Sequence, residues 1–408
     1  MSSKTKSTSQ NENGQSTLMP KLRFPQFRNA EGWRVRKLNE LLFEAKHRNR
    51  TLELGPSDVL SVSGEHGCVN QIEFMGRSYA GVSVKDYHVV EHGDIVYTKS
   101  PLKRNPFGII KENKGKRGIV STLYAVYRPF QCCSATYLDH FFSGDFNLNS
   151  YLQPIVKKGA KNDMKVNNAD VLKGDICVPE LKEQQKIADC LDSVDELLAL
   201  QARKVDALRN HKKGLMQQLF PREGETQPSL RFSEFREPWA ESQLNYLCSS
   251  ISSGRDQLDP DGAFDLYGST SVIGKTKNPS FSGERILVAR VGANAGLLTK
   301  AKGAFGVTDN TLVLSLKPST NIDFLFHYLG KININRLIFG SGQPLITGSI
   351  LKNLPILVPS DLEQQKISAF LSSLDDLIVA QSCKLDTIKS HKKGLMQKIF
   401  PLPEEVEA

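Results

Sequence analysis

Residues 179–221, PELKEQQKIADCLDSVDELLALQARKVDALRNHKKGLMQQLFP, return at 359–401 as PSDLEQQKISAFLSSLDDLIVAQSCKLDTIKSHKKGLMQKIFP. The copies align without an insertion at a constant offset of 180, and 22 of the 43 positions are identical. A period this long is not that of a solenoid repeat. It is the mark of a duplicated module with one long helix per half.

The apolar spacing defines the helix. Steps of four and three from Ile187 visit Leu191, Val194, Leu198, Gln201, Val205, Leu208, Lys212, Leu215 and Leu219. From Ile367 they visit Leu371, Leu374, Ile378, Gln381, Leu385, Ile388, Lys392, Leu395 and Ile399. A sustained 3.5-residue period is a coiled-coil seam, and polar residues within it set register. Both seams break at the same Gln and the same Lys, so the two helices are expected to pack on each other. From Glu183 to Phe220 such a helix runs about 57 Å. Pro179 and Pro359 precede the starts, Ser360 and Glu363 have capping-box spacing, and Pro221 and Pro401 end the helices. Two core helices of one large domain is the plainer alternative, against which the repeated seam polars argue.

The 408 residues leave room for two or three domains. The N-terminal stretch has no apolar run of the kind a signal peptide needs, and no stretch is long enough to span a bilayer. Seven scattered cysteines without a CxxC pair read as reduced thiols in the cytoplasm. The net charge of +9 is uneven: 19–178 has 24 Lys+Arg against 16 Asp+Glu, hence +8, and 222–358 has 14 against 12, hence +2. A basic globular surface beside near-neutral helices suits a polyanion such as nucleic acid.

LRFPQFRNAEGW (22–33) is echoed by LRFSEFREPW (230–239), so the chain reads lead-in, globular domain, helix, and then the same again. The expected division is a disordered N-terminus (1–18), a first domain (19–178), a first helix (179–221), a linker (222–229), a second domain (230–358), a second helix (359–401) and an acidic tail (402–408). The class is α+β. Strands are expected at Asp94–Thr98, Ile119–Tyr127, Arg285–Val291 and Thr311–Leu316, with short helices near Ala135–Phe142 and Ile322–Leu329. The two globular domains share little sequence. Equal helices offer equal docking surfaces to a partner, whereas unequal domains recognise unequal things.

From Pro20 to Pro401 this arrangement resembles the DNA-specificity subunit of type I restriction–modification systems. The resemblance is carried by the LRFPQF/LRFSEF pair, the ICVPELKEQQKIADCL and ILVPSDLEQQKISAFL junctions, and the HKKGLMQQLFP and HKKGLMQKIFP ends. It implies two mixed α/β target recognition domains, each reading half of a split, asymmetric site on double-stranded DNA. It also implies that the helices form an antiparallel coiled coil between the domains in a pseudo-twofold arrangement. Such a subunit has no catalysis or cofactor of its own. It binds two methyltransferase subunits and, through them, restriction/translocase subunits, so S-adenosylmethionine, ATP and Mg belong to the partners.

In the first domain the run PLKRNPFGIIKENKGKRG supplies DNA-contact candidates Lys103, Arg104, Asn105, Lys114, Lys116 and Arg117. Lys99 and Ser100 follow a strand into a loop, and Lys161 lies in GAKN before the junction. Lys and Arg can pair with guanine edges and Asn with adenine, although most such residues touch phosphate. In the second domain the loops YGSTSVIGKT, RVGANAG, GVTDN and GSGQP supply Lys275, Arg290, Asn294, Asn310 and Gln343. Helix packing or partner docking falls to Leu191, Val194, Leu198, Leu208, Leu371, Leu374, Ile378 and Ile388. Gly214 and Gly394 recur inside helices, where glycine costs about 1 kcal/mol against alanine. Their recurrence points to close approach of another backbone, of the sister helix or a partner. Lys212, Lys213, Lys392 and Lys393 sit either on phosphate or at a solvated helix end.

Other chemistries lack support. SVIGKT fails as a P-loop because Ser269 stands where the first glycine is needed and Pro279 follows closely. His88 and His92 have no matching ligand pair, so no metal site is expected. NPF at 105–107 lacks a glycine-rich cofactor loop beside it. Two other classes stay open on the residues: a nuclease or methyltransferase with cryptic motifs, and a specificity subunit of a related system that cuts on both sides of its target.

Overall fold

A computed structural model describes residues 8–10, 16–99, 104–158, 164–337 and 345–401. Two compact units emerge, Met1–Leu200 with Leu385–Ala408, and Gln201–Lys384. The boundaries fall inside the long helices and not at the domain junctions at 178/179 and 358/359. The reason is burial. Ile187, Leu191, Ile399 and Phe400 belong to the first core, around Trp33, Tyr137 and Phe142. Leu219, Phe220, Ile367 and Leu371 belong to the second, around Trp239, Phe324 and Leu325.

In the first unit, an antiparallel sheet has the order Leu42–Glu44, Tyr124–Pro129, Ile95–Thr98, Ile109–Glu112. The run expected at 119–127 is two strands, Gly118–Val120 and Tyr124–Pro129, parted by a turn. Gly118–Val120 pairs instead with His88–Val90. Ala135–Ser143 follows as a helix whose Ser134 hydroxyl accepts the Tyr137 amide. Asp175–Val178 returns to pair with Trp33–Lys37. Thr8–Gln10 and Ser16–Leu18 are strands and not disordered chain, because Ser16–Leu18 finds backbone partners on Trp33–Lys37 that composition cannot foresee.

The second unit repeats this plan. Its sheet runs Cys248–Ser253, Thr311–Leu316, Arg285–Ala289, Leu298–Ala301, again antiparallel throughout. Ile322–Ile332 follows as the helix, capped by Asn321, and Pro355–Val358 returns against Ala240–Gln243. Domains of little common sequence therefore share strand order and sense.

Two 39-residue helices, Leu181–Leu219 and Asp361–Ile399, each extend about 58 Å. Rising numbers on one meet falling numbers on the other: Asp195 meets Lys392 in the first unit, and Gln201 meets Gln381 and Lys212 meets Asp375 in the second. The packing is an antiparallel coiled coil. Every seam position from Ile187 to Leu219 and from Ile367 to Ile399 is buried or half-buried, including Val194, Leu198, Leu208, Leu374, Ile378 and Ile388.

The lead-in segments clamp the helices. Arg23 makes a two-pronged pair with Glu183 at 2.8 and 2.7 Å, and Arg231 does so with Glu363 at 2.7 and 2.7 Å. Glu363 is therefore not the reciprocal half of a capping box with Ser360, since Arg231 and the Trp239 indole take its oxygens. Leu22 donates its amide to the Lys398 carbonyl and Leu230 donates to that of Gln218, each satisfying a last-turn acceptor. Gln184 and Gln364 accept the Ser134 and Asn321 amides, tying the start of each domain helix to the start of a long helix.

Candidate nucleic-acid interface

The loops that could meet a ligand lie at the ends of two matching strands. Ile95–Thr98 leads into Lys99, and the corresponding strand Arg285–Ala289 leads into Arg290. In the second unit the loops converge there: the Arg290 amide donates to the Asn310 carbonyl at 2.9 Å, and the Ile346 amide donates to that of Arg290 at 2.8 Å. The Ser269 hydroxyl also reaches the Asn310 carbonyl. Asn294 and Asn310 are exposed, Arg290 is half-buried, and its Nε has no partner among the described residues. The pieces beginning at 267, 290 and 306 thus meet at one sheet end. Lys275 lies in the strand Val272–Thr276, paired to Asp265 at 2.8 Å, which also removes any P-loop geometry. Gln343 lies outside the described residues.

The basic run of the first domain is not one patch. Ile109–Glu112 passes through its middle and carries Lys114, Lys116 and Arg117 to the sheet end opposite Lys99 and Arg104. Lys111 is buried between them, with Nζ on the Ser143 hydroxyl. Lys114 is committed to Asp192 on the first long helix at 2.7 Å, and Arg117 to Glu91 and Glu53. Asn105 is buried and donates to Asp145 at 3.0 Å, so its amide secures the loop from within and does not face outward. Gly108 allows that loop to turn: its φ is +96°, and a Cβ there would stand 2.1 Å from the Thr98 carbonyl oxygen. Arg104 and Lys116 are exposed and Lys99 half-buried. Ser100, Lys103 and Lys161 lie outside the described residues.

The close approach expected at Gly214 and Gly394 is not made by the sister helix, for a Cβ at either meets nothing within 4 Å among the described residues. Lys212 and Lys392 are not solvated; each pairs at 2.5 Å with an aspartate of the opposite helix. Lys213 and Lys393 are exposed. His140, Asp192 and Asp195 bring ligand-type atoms within 4.8 Å of one another. The ammonium groups of Lys114 and Lys392 already neutralise those carboxylates. His88 is buried in its strand and His92 faces the Gly115 carbonyl, so the two do not form a pair. All seven cysteines are free. Among the described residues, no helix is long and apolar enough to cross a membrane.

Residues 221–389 match the family described as type I restriction modification DNA specificity domain. That match lies in the second half of the chain, which is thus similar to the type I restriction–modification specificity subunits. The specificity subunit of the EcoprrI enzyme of Escherichia coli is 35% identical over 114 residues, 28% of each chain. A putative one, MjaX of Methanocaldococcus jannaschii, is 25% identical over 273 residues, 60% of this chain and 63% of that one. These alignments span less than two thirds of either relative. The fold extends further: the type I S subunit from M. genitalium superposes with a TM-score of 0.62 at 14% identity, covering 94% of this chain and 99% of that one. A chain from a type I restriction–modification assembly gives 0.55 at 19% identity over 92% and 97%. The sequence did not foretell the paired Arg–Glu clamps or the His–Asp approaches at the helices. The LRF and EQQKI repeats were the signal for the clamps.

Proposed function

We propose that this chain is the non-catalytic DNA-reading subunit of a type I restriction–modification complex. Each domain reads one half of a bipartite, asymmetric site, and the coiled coil keeps the two readers at a set separation. Two methyltransferase subunits dock on the duplicated helices and bring restriction/translocase subunits with them. S-adenosylmethionine, ATP and Mg act on those partners. One observation carries the reading. The same four-stranded sheet occurs twice, yet the matching strand ends present Lys99 and Arg104 in one domain and Arg290, Asn294 and Asn310 in the other. A repeated scaffold with unlike polar loops is what reading two unlike half-sites requires, since base edges specify while phosphates only position. Half-sites on one face of a duplex lie about 34–36 Å apart, within the reach of a helix of about 58 Å.

The test is mapping of methylated bases in cells that carry this chain with its methyltransferase. A split motif with two different halves is expected. A continuous palindrome would overturn the proposal.

A further inference from the structure

In each unit one aspartate of a long helix pairs with a lysine from the other long helix and lies within 4 Å, though beyond hydrogen-bond distance, of a buried imidazole from the globular domain. In the first unit Asp195 lies 2.5 Å from Lys392 Nζ and 3.9 Å from His140 Nδ1. In the second, Asp375 lies 2.5 Å from Lys212 Nζ and 3.8 Å from His327 Nε2. Asp375 follows Asp195 by 180 residues, and Lys392 follows Lys212 by the same 180, so the duplication explains these two partners. It does not explain the histidines, which come from domains of little common sequence. Each is nonetheless five residues past the first residue of its helix (135 to 140, 322 to 327), and they are only 1% and 2% exposed. The first node has additional partners, because His140 Nε2 also meets Asp192 at 2.9 Å and Lys114 pairs with that carboxylate.

The magnitudes point away from stability as the purpose. Both aspartates are 43% exposed, and an ion pair with such a carboxylate is worth about 0–1 kcal/mol. A lysine in an otherwise apolar seam gives up packing there, and such residues are the best attested devices for fixing register. Register has a direct length scale here. A slip of one heptad shifts a helix by about 10 Å, roughly three base pairs at about 3.4 Å each, and a slip of one turn shifts it by about 5.4 Å.

We propose that Asp195 and Asp375 are positioning residues for DNA recognition. Each holds its domain helix and the opposite long helix at one level, and together they restrict the complex to one gap between half-sites. This rests on the bipartite reading above.

The experiment uses the full chain with its methyltransferase on duplexes carrying the mapped half-sites at the native gap and at one, two and three base pairs more or less. Wild type should methylate the native gap alone. D195N/D375N should stay within about threefold of wild type at the native gap, while its preference over neighbouring gaps falls at least tenfold. K212M/K392M fills the seam with apolar side chains, keeps the fold, and should lose the preference likewise. K212R/K392R retains the charge and should restore it. Undiminished gap preference in both the Asn and the Met variants would overturn the proposal. If wild type itself shows no split site, the proposed function fails instead.

Discussion

Gln201 donates through its side-chain amide to Oε1 of Gln381 at 3.0 Å and to the Gln381 carbonyl at 2.9 Å. These are the same residue in the two copies of the repeat. A residue that meets its own duplicate is what antiparallel packing of two equal helices produces, and Lys212–Asp375 continues that pairing in the same unit.

This pair separates register from stability. Gln381→Leu alone removes one of the two acceptors of the Gln201 amide and leaves it the backbone carbonyl of residue 381, so the loss should be about 0.5–1.5 kcal/mol, the worth of one hydrogen bond. The double change Q201L/Q381L should be close to neutral or stabilising, because both partners leave together. Denaturant unfolding of the two singles and the double measures the coupling. Strictly additive losses would remove the Gln–Gln contact from the account.

Arg231 and Glu363 form a nearly dry ion pair, 17% and 1% exposed at their side chains. Arg231→Met strands the carboxylate and should cost about 3–5 kcal/mol. Arg231→Lys keeps the charge without the two-pronged geometry and should fall between wild type and Met. Arg23→Met should behave alike, through Glu183. Chemical denaturation reads both, and a loss under 1 kcal/mol would show that the lead-in segments do not anchor the helices.

Burial pushes the His327 imidazole down to about 4, aided by Lys212, and burial does the same to His88, aided by Arg48. Their folded pKa lies below the unfolded value of about 6.5, so the unfolded chain takes up the proton first as pH falls. Stability is full above pH 6.5, declines between about 6.5 and 4, and levels off below. For His327 the loss approaches about 3 kcal/mol. Unfolding free energies measured across that range should flatten in His327→Gln. An unchanged slope would assign the acid sensitivity elsewhere.

DNA affinity should fall steeply with salt as released counterions leave the phosphates. Arg104→Ala and Arg290→Ala should each weaken binding and reduce the salt slope by about 1 if they touch phosphate. Lys114→Ala should change affinity much less, because that ammonium already faces Asp192. Titrations at several salt concentrations distinguish these cases, and equal effects of Lys114 and Arg104 would mean that the basic run acts as one surface after all.

The helices were legible because a seam is a one-dimensional pattern: each step of three or four residues from Ile187 or Ile367 lands on a covered side chain. The second-domain loops were legible for the same reason, being turn-rich pieces between strands. The split of the first-domain basic run was not, since it depends on Ile109–Glu112 pairing back onto Ile95–Thr98, a tertiary fact. Asn105 misled because amide chemistry suits both an adenine edge and a neighbouring Asp145, and only burial tells them apart. The recurrence of Gly214 could not say whether a backbone of this chain comes close, and none does among the described residues. The His140 and His327 contacts left no sequence signal, because the histidines and aspartates lie in different segments and only folding aligns them.

The most direct test exchanges residues 230–358 for the corresponding domain of a known specificity subunit and maps methylation in cells with the methyltransferase unchanged. The account predicts that one half of the motif changes while the other half and the gap stay as they were. A motif altered in both halves, or in neither, would contradict two independent readers on one spacer.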